Sequence, residues 1–535
     1  MPETFNACTY LLDRRLDAGD GDRIAVTGPR GTLTYQALHD LTGQIAAGLR
    51  ELGVRPEQRV MMLTVDSPRM LATILAAMRV GAIPVPVSTM MRPEDLAGVV
   101  RDSRASALVV SAEFAETALP ALVDVPDLRS VVVDGTGSAF GPPGVAVWDF
   151  EQLLAAGDAS EASHPYPTWE DTTGLWLYTS GTTGVPKAAM HRHASIRVVC
   201  ETYARQVLGI APGDRVLAVP KMFFAYGLGC TAFFPLSVGA STLLEPARST
   251  PDGVTANLLE YRPTLFAASP TFFAAMLGAS VPTDAVASVR LATSAGEPLP
   301  APIYQRFVAR YGVDVIDGIG STEALHIFIS NRRGQVRPST SGTPVPGYDA
   351  RIVDEAGLDV PAGTEGHLLV RGDSTALGYW CRNDATRRAF QGEWLRTGDF
   401  YLASPDGHYT YLGRSDDMIK SSGMWVSPAE VEARLLEHPE VALAAVVAVP
   451  DQVGLDKTVA CVVRTPDATV AEADLVEFCR ARLAHFKCPR TVLFVAELPM
   501  TATGKLRRNV IRGDAADALA RAAELDQAPV VPILE

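Results

Sequence analysis

The chain is poor in cysteine and has no long hydrophobic run. Seven cysteines are scattered over 535 residues without a Cys-x-x-Cys pair or a metal-ligand spacing, which indicates a reducing compartment and excludes a cysteine metal cluster. The longest apolar stretches, such as Met70–Met78 and Val441–Pro450, are far shorter than the roughly 20 residues of a membrane helix. No secretory leader, internal repeat or low-complexity tract is evident. We therefore expect a cytoplasmic protein with no membrane partner.

An excess of positive charge is also absent. The net charge is −14, which argues against general nucleic-acid binding and means that an anionic ligand must be held by local donors. Hydrophobic residues make up 47% and charged residues 20%, as in an ordinary globular protein. A length of 535 residues exceeds a single core and predicts a large domain with a smaller one.

Residues 178–187 are unusually rich in hydroxyl groups and glycine. They read Tyr-Thr-Ser-Gly-Thr-Thr-Gly-Val-Pro-Lys and follow the apolar run Gly174–Tyr178, which predicts a loop leaving a buried strand. Glycine lets backbone N–H groups approach an anion, and the hydroxyls and the lysine add donors and charge. The pattern favours phosphate binding, with a plain surface loop as the alternative; the spacing of a P-loop is absent. The candidate phosphate-binding residues are Thr179, Ser180, Gly181, Thr182, Thr183, Gly184 and Lys187.

The first 400 residues alternate helical and strand-like patterns. Apolar spacing predicts a helix over Tyr35–Leu52, a strand over Arg59–Val65, and a second helix over Pro68–Val80 with Gly81 just past its end. Such alternation implies an α/β fold in which helices cover parallel sheets in stacked subdomains. From about Gly342, short strands and tight turns predict a small β-rich subdomain.

The C-terminal residues are predicted to form a separate, small and mobile α+β domain. Helices are predicted over Pro428–Glu437 and Ala471–Leu483, and strands over Val441–Val449 and Thr458–Val463. The resulting unit has a normal domain size. We place the boundary so that residues 1–415 form the N-terminal domain and residues 416–535 the C-terminal domain.

Six short motifs follow one another along the chain, beginning with residues 178–187. The other five are Ser294-Ala-Gly-Glu297, Asp317-Gly-Ile-Gly-Ser-Thr-Glu323, Trp394-Leu-Arg-Thr-Gly-Asp399, Gly413-Arg-Ser-Asp-Asp417 and Thr501-Ala-Thr-Gly-Lys505. In order and approximate spacing they resemble the signature motifs of the adenylate-forming superfamily, which includes acyl-CoA synthetases, stand-alone adenylation domains and firefly-type luciferases. The resemblance covers nearly the whole chain. It implies that ATP adenylates a carboxylate and that a thiol then receives the acyl group.

The resemblance implies roles in adenylation. Attack of a carboxylate on the α-phosphate of ATP brings anions together, so the site must supply cations and donors. By resemblance, Lys505 is the catalytic cation, Glu323 is the Mg²⁺ ligand, and Thr322 contacts phosphate. One carboxylate together with ATP oxygens is sufficient for magnesium, which keeps several waters.

The same resemblance implies a nucleotide site. Asp399 accepts hydrogen bonds from the ribose hydroxyls, and Arg414 reaches the ribose or a phosphate. Ile319 stands where many relatives have an aromatic residue that stacks on adenine, so here aromatic stacking is weakened but an apolar face is kept. The remaining residues implied in ATP or AMP binding are Gly296, Glu297, Asp317 and Gly318.

Several aromatic residues stand beside glycines in Lys221–Gly229 and in the following Phe233-Phe234-Pro235. Such residues pack in a core or form a flat slot for a ring, and a lone His326 is equally typical of a core histidine. The segment resembles aryl-CoA ligases of the benzoate type. Those enzymes commonly have asparagine at the position that Cys230 occupies here, so the substituents on the ring of the substrate stay undetermined. The implied aryl-acid pocket comprises Phe224, Tyr226, Phe234, Ala295, Gly320, Leu325 and His326.

The resemblance also implies two domain positions. Lys505 must leave the site before a thiol attacks, and in this family the C-terminal domain rotates about an aspartate that corresponds to Asp416. The rotation brings the loop with Gly423 and Trp425 to the site, where both line the tunnel for the pantetheine arm of coenzyme A.

The favoured interpretation is an ATP-dependent aryl acid–CoA ligase that uses ATP, Mg²⁺, coenzyme A and an aromatic acid. The alternative is a stand-alone enzyme that loads the phosphopantetheine of a separate acyl carrier protein. A luciferase-type oxygenase and an inactive nucleotide-binding scaffold are more distant alternatives, and the joint presence of Lys505, Glu323 and Asp399 argues against the scaffold. The expectation of a homodimer rests only on the resemblance to the family.

Overall fold

The computed structural model describes residues 3–136, 141–157, 164–180, 186–421, 424–450, 456–500 and 506–526, with backbone alone for residues 180, 420, 421, 424 and 522–526. Up to residue 157 the elements alternate between helix and strand. In chain order they are a π-helical turn Thr9–Asp13, α1 (Arg14–Asp17), β1 (Ile24–Thr27), β2 (Leu33–Thr34), α2 (Tyr35–Glu51), β3 (Arg59–Leu63), α3 (Pro68–Arg79), β4 (Ile83–Pro86), α4 (Pro93–Ser103), β5 (Ala105–Ser111), α5 (Ala112–Ala118), a 3-10 turn Leu119–Ala121, β6 (Ser130–Asp134), β7 (Ala146–Asp149) and α6 (Phe150–Ala156).

The alternation continues to residue 320 and includes two π-helical segments. The elements are β8 (Thr173–Ser180), β9 (Pro186–Arg192), α7 (His193–Val199) with a π-helical continuation Cys200–Leu208, β10 (Arg215–Ala218), α8 (Ala225–Leu228), a π-helical segment Gly229–Phe233, α9 (Phe234–Val238), β11 (Ser241–Leu243), α10 (Pro251–Tyr261), β12 (Leu265–Ala268), α11 (Pro270–Gly278), a 3-10 turn Thr283–Val286, β13 (Leu291–Ser294), α12 (Ala301–Tyr311) and β14 (Val315–Gly320).

Strands then predominate, and the last elements are helical again. They are β15 (Ile327–Ser330), β16 (Thr343–Pro344), β17 (Tyr348–Val353), β18 (Glu365–Gly372), α13 (Asn383–Ala389), β19 (Phe390–Gln391), β20 (Trp394–Ala403), β21 (Tyr409–Arg414), β22 (Ile419–Ser421), β23 (Met424–Val426), α14 (Pro428–Leu436), β24 (Val441–Pro450), β25 (Asp456–Arg464), α15 (Glu472–Arg480), β26 (Thr491–Phe494) and α16 (Arg508–Asp526).

Two sheets dominate the N-terminal part. One is parallel, with the order β4-β3-β5-β6-β7. The other has the order β16-β15-β14-β13-β12-β10-β11-β1-β2, parallel from β14 to β1 and antiparallel at both ends. Along β3, Val60 and Met62 enter one core while Met61 and Leu63 enter another, because successive side chains point to opposite faces. The predicted α/β fold with parallel sheets is confirmed.

The predicted β-rich subdomain is an antiparallel sheet, β17-β18-β20-β19, with β21 paired to β20. The C-terminal sheet has the order β24-β25-β26. Val446 on β24 packs with residues of α14 and α15, and its neighbour Val447 packs with residues of α16. Both faces of β24 are therefore covered, which explains why its sequence is a continuous apolar run.

The predicted elements differ from the observed ones mainly at their ends. The first two predicted helices are α2 and α3, each one residue shorter, and Gly81 has a φ of +76°. The predicted strand Arg59–Val65 ends at Leu63 because the Val65 N–H donates to Ser111 Oγ and not to a neighbouring strand. The helix predicted to end at Leu483 ends at Arg480. In the described ranges, no helix combines the length and apolar character that a bilayer crossing requires.

A buried ion pair fastens the N-terminal segment to α3. Arg79 is 2% exposed and donates from Nη1 to both carboxylate oxygens of Asp13, at 2.7 and 2.9 Å. Removing one member of such a pair leaves a buried charge without its partner.

We predict that Arg79→Met lowers the free energy of unfolding by about 3 kcal/mol or more, because Asp13 loses its main counter-charge. The matched control is Arg92→Met, whose partner Asp95 and own side chain are 47% and 76% exposed. We expect that control to change stability by about 0.5 kcal/mol at most. Denaturant midpoints of the two variants measure the difference, and equal midpoints would contradict the prediction.

Candidate active site

The carboxyl ends of neighbouring parallel strands gather the candidate residues at one edge of the large sheet. β13 ends at Ser294 and leads into Ala295, Gly296 and Glu297, while β14 ends at Gly320 and leads towards Glu323. Ser294 lies beside Asp317 in the sheet register. Ligands of α/β sheets bind at this edge, so the two segments form the floor of a site.

The Ser/Thr/Gly segment is held at both ends by an antiparallel hairpin. β8 and β9 pair so that Thr179 lies opposite Lys187 and Ser180 opposite Pro186. Both Thr179 and Lys187 are half-buried. Gly181, Thr182, Thr183 and Gly184, which come between these two strands in the sequence, lie outside the described residues, as does the side chain of Ser180.

Glu323 has a defined hydrogen-bonded environment. The Tyr379 hydroxyl donates to Glu323 Oε1 at 2.6 Å, and Lys187 Nζ lies 5.2 Å from the centre of the Tyr379 ring. The preceding Thr322 carbonyl accepts from His191 Nε2 at 2.7 Å. Burial lowers the pKa of His191 to about 4, so this imidazole is neutral. Glu323 and Lys187 are thus brought together through Tyr379.

Asp399 and Arg414 form an ion pair across β20 and β21. Arg414 Nη1 donates to Asp399 Oδ1 at 2.9 Å, and Asp399 is 6% exposed. A Cβ on Gly398, whose φ is +77°, would lie 2.7 Å from Arg414 Nη2, so glycine leaves room for the guanidinium. Asp399 foremost, and also Tyr411 and Glu323, raise the pKa of Arg414.

The predicted adenine segments lie on adjacent strands. Asp317 is buried and accepts from the Leu299 N–H at 3.2 Å through Oδ2, while its Oδ1 has no hydrogen-bond partner among the described residues. Burial raises the pKa of Asp317 to about 7. Gly296 is exposed with a φ of +96°, and Glu297 accepts from Thr271 Oγ1 at 2.8 Å. Gly318 is buried, and Ile319 is half-buried.

An aromatic cage surrounds His326. Its ring centre lies 4.5 Å from Phe234, 5.2 Å from Tyr203 and 5.6 Å from Tyr226. Phe234 belongs to the helix that runs from α8 through a π-helical segment to α9, and π-helical segments are frequent at functional sites. Phe224 stacks edge-on against Phe223 at 4.5 Å.

The two tyrosine hydroxyls of the cage are hydrogen-bonded within the protein, whereas His326 Nδ1 has no partner among the described residues. Tyr226 donates to the Thr293 carbonyl at 2.9 Å, and the Tyr203 hydroxyl lies 2.8 Å from Thr293 Oγ1. Cys230 Sγ lies 3.8 Å from His326 Nε2. Burial lowers the pKa of His326 to about 3, so the imidazole is neutral. The cage therefore presents apolar faces without a formal charge.

Three further predicted pocket residues border the cage. Leu325 is buried and has a φ of +66°, a strained conformation for a branched side chain. A Cβ on Gly320 would lie 2.5 Å from the His326 carbonyl oxygen, so only glycine fits there. Ala295 is buried at the end of β13.

The predicted hinge and tunnel residues follow β21. Asp416 is exposed in the turn between β21 and β22, where the N–H groups of Asp417 and Met418 donate to the Arg414 carbonyl. Trp425 on β23 lies 5.7 Å from the Phe400 ring. Gly423 and Lys505 lie outside the described residues.

Sequence patterns alone missed four residues of this region. Tyr379, His191, Tyr203 and Thr293 contact predicted site residues through the hydrogen bonds and ring contacts given above. The only sequence signal for Tyr379 is its place in the Gly378-Tyr379-Trp380 triplet. The structure shows that Gly378 has a φ of +139°. Tyr203 lies on the buried face of the amphipathic segment Cys200–Leu208, and Thr293 lies in the buried strand β13, so both are typical of core residues.

The residues present fit a nucleotide-bound Mg²⁺ and not a protein-only metal site. Among the described residues no group of three or more His, Cys, Asp or Glu side chains could hold a metal ion. Tyr379 occupies one oxygen of Glu323, which leaves the other oxygen available. A single carboxylate matches the way magnesium binds together with substrate phosphates.

Comparison with known proteins agrees with this geometry. The AMP-binding enzyme family matches residues 13–380, and its C-terminal domain matches residues 430–505. The chain is 42% identical to a benzoate–CoA ligase of Thauera aromatica over 96% of both chains.

Two solved structures are similar along nearly the whole chain. The benzoate CoA ligase of Burkholderia xenovorans LB400 is 40% identical, with a TM-score of 0.87 over 95% of this chain and 100% of that one. The anthranilate CoA ligase AuaEII, in complex with anthranoyl-AMP, is 36% identical, with a TM-score of 0.90 over 97% and 99% of the two chains. This chain therefore belongs to the AMP-binding enzyme family, the adenylate-forming enzymes.

Proposed function

We propose that this protein is an ATP-dependent aryl acid–CoA ligase of the benzoate–CoA ligase type, an AMP-forming acid–thiol ligase. The observation that carries the proposal is the aromatic cage around the neutral His326, set at the same sheet edge as Glu323. Full-length identity of 42% to a benzoate–CoA ligase supports it.

In the first half-reaction a carboxylate oxygen of the aromatic acid attacks the α-phosphorus of ATP. The bond from that phosphorus to the bridging oxygen breaks, and pyrophosphate leaves. Lys505 reduces the repulsion between the two anions, while the hydroxyl-rich residues 179–183 and Lys187 hold the phosphates. Asp399 accepts hydrogen bonds from the ribose, with Arg414 held beside it.

Glu323 would hold the Mg²⁺, which when bound neutralises charge on the phosphates. The chain's own contribution is to fix that carboxylate, through the Tyr379 hydroxyl and the neighbouring backbone contacts. Thr322 adds a hydroxyl donor next to it.

The aryl ring enters the pocket formed by Phe224, Tyr226, Phe234 and His326, bordered by Ala295, Gly320 and Leu325. A planar ring suits it because the walls are aromatic faces, and the hydroxyls of Tyr226 and the neighbouring Tyr203 are already hydrogen-bonded to Thr293. Because His326 is neutral, it does not offer the carboxylate of the aromatic acid a second binding site for an anion. The carboxylate is therefore expected to face the nucleotide and the ring to face the cage.

In the second half-reaction the thiol sulfur of coenzyme A attacks the acyl carbon, and AMP leaves. We infer that the C-terminal domain, from residue 416 onward, rotates about Asp416 to withdraw Lys505 and to bring Gly423 and Trp425 to the site. Exposure of Asp416 in a turn between two strands is compatible with a hinge.

Free coenzyme A is the proposed acceptor, and a carrier-protein phosphopantetheine is the less favoured alternative, since the chain aligns end to end with CoA ligases. We place the reaction in the cytoplasm, where ATP and CoA are available. A homodimer stays a prediction.

The test compares benzoate with cyclohexanecarboxylate, which has a similar size but is not planar. We expect benzoate or a simple substituted benzoate to support ATP–pyrophosphate exchange, cyclohexanecarboxylate to support little, and free CoA to give saturable thioester formation. Exchange without a CoA thioester would favour the carrier alternative. No exchange with any aromatic acid would contradict the proposed function.

We predict that Lys505→Ala slows benzoyl-AMP formation by about 10²-fold or more, because the charge that offsets anion repulsion is lost. Thioester formation from supplied benzoyl-AMP and CoA should stay near the wild-type rate. Lys457→Ala, in the same domain on β25, is the control and should leave both half-reactions unchanged. Equal loss of both half-reactions in Lys505→Ala would contradict this role.

We also predict that Gly229→Ala impairs aryl-acid binding. The added Cβ would overlap the His326 ring, 2.7 Å from Nε2, and so would push the ring into the pocket. The kcat/KM for benzoate should fall about tenfold or more, since small displacements at a reacting site are costly, while the KM for ATP stays within about twofold. Gly43→Ala, where an added Cβ meets no atom within 4 Å, is the control. An unchanged kcat/KM for benzoate would contradict the assignment of the pocket.

A further inference from the structure

A short segment, Ser374–Trp380, links two parts of the active site that are distant in sequence. We call it the strap. On one side it runs along β9, the strand that carries Lys187, and Tyr379 forms an antiparallel bridge with Ala189. Its backbone hydrogen bonds to β9 are Leu377 N–H to the Met190 carbonyl at 2.8 Å, Met190 N–H to the Gly378 carbonyl at 3.0 Å, and Trp380 N–H to the Ala188 carbonyl at 3.0 Å.

On its other side the strap holds the segment that carries Glu323. The Ala376 N–H donates to the Glu323 carbonyl at 2.8 Å, and Ser374 Oγ donates to the Ala324 carbonyl at 2.6 Å. The Tyr379 hydroxyl reaches the Glu323 side chain itself, at 2.6 Å from Oε1. Backbone and side chain of Glu323 are therefore both fixed by the strap.

Tyr379 contacts both charged groups of this region with different parts of one side chain. Its hydroxyl bonds the Glu323 carboxylate, and its ring face lies 5.2 Å from Lys187 Nζ, within the range of a cation–π contact. The ring is 8% exposed and packs edge-on against Phe390. A phenol hydroxyl is both donor and acceptor, and the Glu323 carboxylate oxygen accepts its hydrogen.

We propose that Tyr379 is a positioning residue for the adenylation half-reaction. It fixes the position of the magnesium-binding carboxylate of Glu323 relative to Lys187, the lysine of the candidate phosphate-binding segment. The inference rests on the proposed function. Tyr379 touches neither nucleotide nor aryl acid in this role and acts through Glu323 and Lys187.

The two contacts predict separable effects. Loss of the hydroxyl frees one oxygen of Glu323 and its side-chain torsions, which weakens magnesium-dependent nucleotide binding. Loss of a partner that orients a metal ligand typically reduces metal affinity about 10–100-fold. Loss of the ring removes the support of Lys187, which weakens nucleotide binding with or without magnesium. Neither contact contributes to attack of CoA on a preformed acyl-AMP.

The first experiment measures binding of the unreactive analogue α,β-methylene-ATP by calorimetry over a series of Mg²⁺ concentrations, without any acid. We expect Tyr379→Phe to raise the Mg²⁺ concentration for half-maximal binding about tenfold, and to leave magnesium-free binding within about twofold. Tyr379→Leu should show the same magnesium effect and should also weaken magnesium-free binding. If the two variants bind equally without magnesium, the role of the ring is overturned.

The matched control is Tyr409→Phe. Tyr409 is also 8% exposed and also donates one hydroxyl hydrogen bond, to the Ala350 carbonyl at 2.8 Å. Its magnesium dependence should equal that of the wild type. Identical magnesium dependence of Tyr379→Phe and Tyr409→Phe would overturn the proposal.

The second experiment compares the half-reactions in Tyr379→Phe. We expect slower pyrophosphate release from ATP and benzoate at limiting Mg²⁺, and thioester formation from supplied benzoyl-AMP within about twofold of wild type. Equal loss in both half-reactions would reduce Tyr379 to a structural residue and overturn the proposal. If the wild type adenylates no aromatic acid but Tyr379→Phe still shows the magnesium shift in analogue binding, the proposed function fails and the positioning role stands.

Discussion

Parallel pairing of β12, β13 and β14 determines where the candidate site lies. In a parallel sheet all strands end at the same edge, so the turns that follow them meet even when the sequence separates them. Ser294 pairs with Asp317, and consequently the turn with Glu297 lies beside the segment that leads to Glu323. Each turn alone is a short polar segment. The register of the sheet brings them together as the floor of one candidate site.

Charged groups in the candidate site are balanced by neighbouring side chains. Local balance is needed because the protein has a net charge of −14 and its substrate ATP is also an anion. Asp399 is paired with Arg414, and Glu323 is bonded by a neutral hydroxyl donor that leaves an oxygen for a metal. The adjacent aromatic cage has the opposite character, because burial keeps His326 neutral. Two regions of contrasting polarity thus meet at one sheet edge, as a substrate with an anionic head and an apolar ring requires.

Residues that support the site were harder to find from sequence than residues that stand in motifs. Thr293 lies within an apolar strand, and nothing in its neighbours shows that two tyrosine hydroxyls converge on it. Tyr379 bonds a carboxylate 56 positions away in the chain, and the contact exists only because the strap crosses from β9 to the 322–324 segment. Such contacts depend on long-range packing, which periodicity and spacing do not encode.

The amino-acid sequence by itself determined the alternation of helices and strands, the apolar run of β24, and the motif residues that identify the family, because these follow from local periodicity and from residue type at fixed spacing. Helix and strand ends were off by a few residues, since competing bonds such as Val65 N–H to Ser111 Oγ decide them. Only the tertiary structure decided that Glu323, Tyr379 and Lys187 adjoin and that His326 is caged and neutral. The physical reason is that burial and proximity arise from how distant segments pack, and these set both hydrogen-bond partners and pKa values.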